Sequence, residues 1–156
     1  MLIVGCGCRG RALAGVLKSE GHVVRGTTRD PAALAAITAA GAEGIVADPD
    51  RLGTLMSPLA GVSVICWLMG SVRDGPELHG DRLRTLMERL VDTHVRGFVY
   101  EAAGASGAAL LDEGAELVRR ASETWRIRVE IVRQGPAPHD AWLASMNTAV
   151  ARILAG

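Results

Sequence analysis

Three glycines at fixed spacing carry the chemistry nearest the start of the chain, in Gly5-Cys6-Gly7-Cys8-Arg9-Gly10. A G-x-G-x-x-G run matters only between a strand and a helix. Here the apolar Leu2, Ile3 and Val4 precede it, and residues 11–18 read as a helix after it. In that setting Gly5 permits a tight turn out of the strand. Gly7 lets the backbone approach a pyrophosphate, and Gly10 lets the helix pack close to the sheet. The helix N-terminus adds unpaired N–H groups and the positive end of a dipole. Cys6, Cys8 and Arg9 fill the variable places. The implied ligand is a dinucleotide, and the competing reading is a glycine-rich turn with a structural role only.

The end of the second strand selects between dinucleotides. A carboxylate there accepts from the ribose 2′-OH of NAD. This chain has Arg25-Gly26-Thr27-Thr28-Arg29, and its first acid is Asp30, placed to cap a helix before Pro31. Arg29 stands where a guanidinium clamps a 2′-phosphate, and Thr27 or Thr28 adds a hydroxyl. NADP is therefore favoured and NAD stays open, with a solvated loop role as the alternative for Arg29. Asp48, after the third strand, is placed either to accept from an adenine amino group or to start a helix. Leu68, Met69 and Gly70, at the end of the fourth strand, complete the expected cofactor-binding set.

Alternating strand and helix patterns must position these residues. Strands are expected at 2–5, 22–27, 43–47, 62–68, 97–101 and 128–133. Helices are expected at 9–20, 30–40, 50–59, 76–94, 110–125 and 140–154, the last capped by Asp140. Leu83, Leu86, Met87 and Leu90 mark one apolar face of the helix over 76–94, which leaves His79 and His94 on its surface. Six strands alternating with helices predict an α/β fold, a doubly wound parallel sheet of order 3-2-1-4-5-6 in a three-layer αβα sandwich. No linker or repeat divides residues 1–156, so one dinucleotide-binding domain is expected.

Bulk properties exclude several classes. The 156 residues carry 17 basic and 17 acidic side chains, a formal net charge of zero. That balance lacks the basic excess of a nucleic-acid binder. Only one lysine, Lys18, is available for catalysis. Three cysteines, Cys6, Cys8 and Cys66, are an odd number without a second Cys/His pair at zinc spacing, so neither a disulfide framework nor a metal is expected. No apolar run is long enough for a bilayer. A first strand starting at residue 2 leaves no room for a signal peptide, and the expected location is the cytoplasm.

The segments GCGCRGRALA, GHVVRGTTRDP and ADPD together resemble the atypical short-chain dehydrogenase/reductases, in particular the epimerase/dehydratase-like branch. Ile131-Val-Arg-Gln-Gly-Pro136 is similar to the region that lies near the nicotinamide in that family. The resemblance implies the Rossmann fold, an NAD(P) cofactor and a homodimer formed through the helices after strands 4 and 5. It also implies a Tyr-x-x-x-Lys pair on the helix after strand 5, where the Lys lowers the Tyr pKa for proton exchange with substrate. This chain departs there: Ala108 stands near the Tyr place and Asp112 near the Lys place. The family's strand-5 serine is also missing from Tyr100-Glu101-Ala102-Ala103, with Ser106 further on. Sugar- and carbonyl-active relatives carry a C-terminal substrate portion that these residues do not include, and a partner subunit is one way to supply its wall.

The remaining candidates divide between site and scaffold. Glu101, at the end of strand 5, is either a base or a strand-end charge that meets solvent or a nearby arginine. Tyr100 belongs to the core or the sheet edge. Ser71, Arg73 and Asp74 follow strand 4, where a nicotinamide ribose would sit, or form a loop. His139-Asp140 is more easily a helix start than a metal pair. Trp67 and Trp142 are expected to pack rather than to form stacking platforms, with Trp142 the better candidate for a cleft wall. The expected function is a Rossmann-domain NAD(P)-binding protein, NADP-preferring, with unusual reductase chemistry or ligand sensing. The second reading is a cofactor-free scaffold or interaction subunit.

Overall fold

The computed structural model describes residues 1–156. Its six strands are β1 (Leu2–Val4), β2 (Arg25–Thr28), β3 (Glu43–Val46), β4 (Val64–Trp67), β5 (Gly97–Glu101) and β6 (Arg128–Val132). They form one all-parallel sheet of order β3-β2-β1-β4-β5-β6. The helices are α1 (Cys8–Ser19), α2 (Leu34–Ala39), α3 (Gly53–Met56), α4 (Asp81–Leu90), α5 (Ala108–Trp125) and α6 (His139–Ala155). The expected doubly wound order is thus present, with its switch point between β1 and β4.

Period-two alternation sorts the strand side chains between two cores. Leu2, Val4, Ile65, Trp67, Phe98 and Tyr100 face one side and pack with Leu83, Leu86, Met87 and Leu90 of α4 and with Ala115 and Val118 of α5. Ile3, Val64, Cys66 and Val99 face the other and pack with Leu13 and Leu17 of α1, Ile37 of α2, and Trp142, Met146 and Val150 of α6. The central strands are buried on both faces, which is why they read as continuous apolar runs. No helix is long and apolar enough to cross a membrane.

Several elements differ from the sequence expectation. The second strand starts at Arg25, three residues late, because pairing begins only where the chain meets β1: the Arg25 N–H donates to the Met1 carbonyl at 2.9 Å. Val23, expected within the strand, is 78% exposed. The helix expected at 76–94 divides into a 3-10 turn, Pro76–His79, and α4, separated by Gly80. That break turns His79 inward, so the expectation of a surface histidine is corrected. His79 is 1% exposed. Its Nε2–H donates to the Met69 carbonyl at 3.1 Å, and its Nδ1 therefore accepts from the Tyr100 hydroxyl at 2.7 Å. Burial lowers the His79 pKa and raises that of Tyr100. The last helix starts at His139 after Pro138 without a side-chain cap. Asp140 instead lies in its first turn, where its charge complements the dipole.

Gly114 shows how tightly this cluster is packed. A Cβ at Gly114 would lie 2.0 Å from the Tyr100 hydroxyl and 3.2 Å from the His79 carbonyl. Glycine-to-alanine within a helix ordinarily stabilises by about 0.5–1 kcal/mol. Gly114→Ala should instead destabilise by about 1–3 kcal/mol, the cost of overpacking. Urea unfolding measures the sign, and a stabilised variant would contradict this packing.

Candidate functional site

The glycine loop runs from the carboxyl end of β1 into α1. Gly5 has φ +84°, and a Cβ there would lie 2.8 Å from the Leu68 carbonyl oxygen. Only glycine adopts that conformation at low cost while lying so close to another backbone. A Cβ on Gly7 would meet nothing within 4 Å, so the backbone here faces open space. A Cβ on Gly10 would lie 3.0 Å from the Gly5 carbonyl and 3.3 Å from Ile3, which marks the close approach of α1 to the sheet. The loop is held by the Cys6 N–H, which donates to the Thr27 carbonyl at 2.8 Å, and by the Gly5 N–H, which donates to Thr27 Oγ1 at 3.3 Å. No side chain caps α1 at Gly7, so the N–H groups of its first turn are open to an anion.

The two loop cysteines have different surroundings. Cys6 is buried against Gly26, and burial pushes its thiol up to about 11. Cys8 is exposed at the start of α1. Cys66, within β4, is pushed up to about 12 by burial. Neither buried thiol is a nucleophile near neutral pH.

A cavity of about 290 Å³ extends from Gly5, Cys6 and Gly7 past Thr27, Thr28 and Arg29 to Leu68 and Met69. Ala47, Pro49, Ser71 and Val72 complete its wall. The structure thus brings together most of the expected set. Ala47, Pro49 and Val72 carried no chemical signal in the sequence and are in place because they follow β3 and β4. Arg29 is exposed on the rim, and it has no carboxylate partner of the kind that holds Arg9 and Arg25. The Thr28 hydroxyl accepts from the Asp30 N–H at 3.1 Å, which shapes the turn that presents Arg29. Asp48 lies beside the cavity without lining it. Its Oδ1 accepts from the Asp50 N–H at 3.0 Å, so it closes a local turn. Gly70 is likewise outside the wall, buried against the end of β5.

Arg9 and Glu101 form the other feature of the switch point. Arg9 projects from the first turn of α1 across the end of β4. Its Nη1 donates to Glu101 Oε1 at 2.5 Å, and its Nη2 donates to the Ser71 hydroxyl at 2.9 Å. Glu101 is fully buried. Its Oε1 also accepts from Trp142 Nε1 at 2.9 Å, and its Oε2 accepts from the Gly70 N–H at 2.9 Å. The Arg9 guanidinium lies 4.9 Å from the centroid of the Trp142 ring, a cation–π contact. The carboxylate therefore joins α1, β4, β5 and α6, with no open path for a substrate proton. This arrangement fits the strand-end charge reading of Glu101 and not the base. Trp142 is wholly buried with its indole N–H on this acid, so it packs, as favoured for it, and does not wall an open cleft.

The places that the resemblance gives to the proton-transfer pair lie at the start of α5. Ala108 opens α5, and Asp112 pairs with Arg133 on the surface. Tyr100 is turned into the core toward His79. Arg73 and Asp74 are exposed in the loop after β4, and His139 stacks at 6.1 Å over Trp142.

No protein-family profile matches the chain. No curated protein matches at a significant level either. Solved structures do match. A candidate short-chain dehydrogenase/reductase from Corynebacterium glutamicum superposes with TM-score 0.72 at 23% identity, covering 99% of this chain and 92% of that one. The Citrobacter sp. triphenylmethane reductase complexed with NADP(H) gives TM-score 0.66 at 17% identity, over 85% of this chain and 48% of that one. The UDP-glucuronic acid 4-epimerase of Bacillus cereus in complex with NAD gives 0.64 at 16%, over 86% and 55%. This chain spans about half the length of the reductase and the epimerase. Its six-stranded parallel sheet and flanking helices thus form a Rossmann-type α/β fold that resembles those of short-chain reductases and NAD-dependent epimerases.

Proposed function

We propose that this chain binds a nicotinamide dinucleotide at the glycine loop, and NADP in preference to NAD. The observation that carries the reading is the cavity itself. It joins the open backbone at Gly7, next to the uncapped start of α1, to the unpaired guanidinium of Arg29. Solved structures of the same fold hold NADP(H) or NAD, which supports a cofactor of this class. When bound, the nicotinamide would supply hydride chemistry. The chain's own residues bind the pyrophosphate at Gly7 and Cys8, seat the adenosine between Thr27 and Pro49, and clamp the 2′-phosphate with Arg29. No tyrosine, lysine or carboxylate lines this cavity to move a proton. The activity is therefore ligand binding, with proton transfer left to water or to the substrate if a reduction takes place.

Saturating NADPH tests the reading. At about a hundredfold excess over Kd, binding to the native state stabilises it by about 2.7 kcal/mol. For a domain of this size that raises Tm by about 5–10 °C. A Tm unmoved by millimolar NADPH and NADH alike would leave the scaffold reading in its place.

A further inference from the structure

A doubly wound sheet seats a dinucleotide in two halves, one nucleotide over β1–β3 and one over β4–β6, with the pyrophosphate at the switch point. The two halves of this crevice are unlike. Two cavities border the glycine loop, one of about 290 Å³ and one of about 170 Å³. No residue beyond Val72 lines either of them. A seat over the second half would need a wall from the residues that follow β5 and β6. The loop after β5 is engaged instead with the loop after β4.

We propose that the site takes the adenosine diphosphate part of the ligand, 2′-phosphate included, and gives the second nucleotide no seat, because Arg9, Glu101 and Trp142 close the crevice beyond β4 and β5. This rests on the dinucleotide reading above and narrows it to a half-site. Three observations carry it. Arg9, from the glycine loop itself, lies along the route from the pyrophosphate to the second half and is tied at Glu101 and Ser71. Moving it aside would leave the wholly buried Glu101 carboxylate without its only cation, a strongly unfavourable change. The loops after β4 and β5 also touch backbone to backbone. A Cβ on Gly104, at φ +143°, would lie 2.3 Å from the Gly70 carbonyl oxygen, and one on Gly70 would lie 2.4 Å from that of Ala103. Ser106 fastens the same contact: its N–H donates to the Gly70 carbonyl at 3.0 Å and its hydroxyl to the Val72 carbonyl at 2.6 Å. The ligand class is therefore an adenosine 2′-phosphate 5′-diphosphate, free or as one end of a larger molecule.

Titration calorimetry of the intact chain with NADPH, 2′-phospho-ADP-ribose and nicotinamide mononucleotide decides this, with saturation-transfer NMR on bound NADPH. The first two ligands should bind with Kd values within about threefold of each other, and the mononucleotide should show no binding at millimolar concentration. Saturation should reach the adenine protons and leave the nicotinamide protons unaffected. NADPH binding more than about tenfold tighter than 2′-phospho-ADP-ribose, or saturated nicotinamide protons, overturns the half-site and leaves the dinucleotide reading standing. Binding by none of the three overturns both.

Discussion

Glu101→Ala should lower the unfolding free energy by about 3–5 kcal/mol, the range for breaking a buried charge pair by removing one partner. The loss has three parts. The Arg9 guanidinium keeps its position against Trp142 but loses its counter-ion. The Gly70 N–H and the Trp142 indole N–H lose their acceptor, and each unsatisfied buried donor costs about 1–3 kcal/mol. The vacated volume adds a cavity. Arg9 retains 24% side-chain exposure, so water recovers part of its solvation and the total falls toward the lower end. In Tm the effect is a drop of about 10 °C. Glu101→Gln preserves the volume but offers one acceptor oxygen for three donors, so most of the loss should remain. Pairing Glu101→Leu with Arg9→Met should recover part of it, because no lone charge is then left inside. Urea unfolding of the four proteins measures each step. A Glu101→Ala variant within about 1 kcal/mol of the parent would show that the cluster is solvated and contributes little.

Arg29→Ala should weaken NADPH binding by about 10- to 100-fold and leave NADH within about twofold. The expectation follows from the charge and position of one side chain. Arg29 stands at the end of β2, on the rim of the first-half cavity, with no internal partner to give up. Bonds from a guanidinium to a 2′-phosphate are charge-assisted and bidentate, and NADH has only a hydroxyl at that place. Arg29→Lys should retain part of the preference, as a point charge without the fork. Because Arg29 is exposed, neither change should move Tm of the unliganded chain by more than a degree or two. Equal weakening of both dinucleotides would remove Arg29 from 2′-phosphate recognition and return it to the solvated loop.

These two residues differ in how readable they were. Arg29 lies between a strand that the local pattern locates and the helix start at Asp30-Pro31, so its place on the rim follows from local sequence. The same holds for Gly5, Gly7 and Gly10, whose spacing already dictates a turn, an open approach and a close packing contact. Glu101 was visible as a strand-end acid, but its environment was not. Arg9 lies 92 residues from it and Trp142 lies 41. His79 was misread for a related reason. The apolar spacing of Leu83, Leu86, Met87 and Leu90 extends smoothly back to Pro76, while the break at Gly80 turns His79 in to the Tyr100 hydroxyl, a partner 21 residues on. The start of β2 was also set by its neighbour, since pairing with β1 determines it and local propensity does not.

The sequence by itself determined the strand–helix alternation, the parallel sheet order, the glycine loop and the absence of the Tyr-x-x-x-Lys pair. Each of these is written in residues a few positions apart, and period two, period 3.6 and the φ freedom of glycine all act at that range. The tertiary structure alone decided that Arg9, which reads as a loop residue beside the ligand, spends its charge on Glu101, and that Trp142 is held beneath them both. The physical reason is the parallel topology. It brings the carboxyl ends of β1, β4 and β5 side by side, and a carboxylate buried there must find its donors on whichever elements the fold has placed within reach.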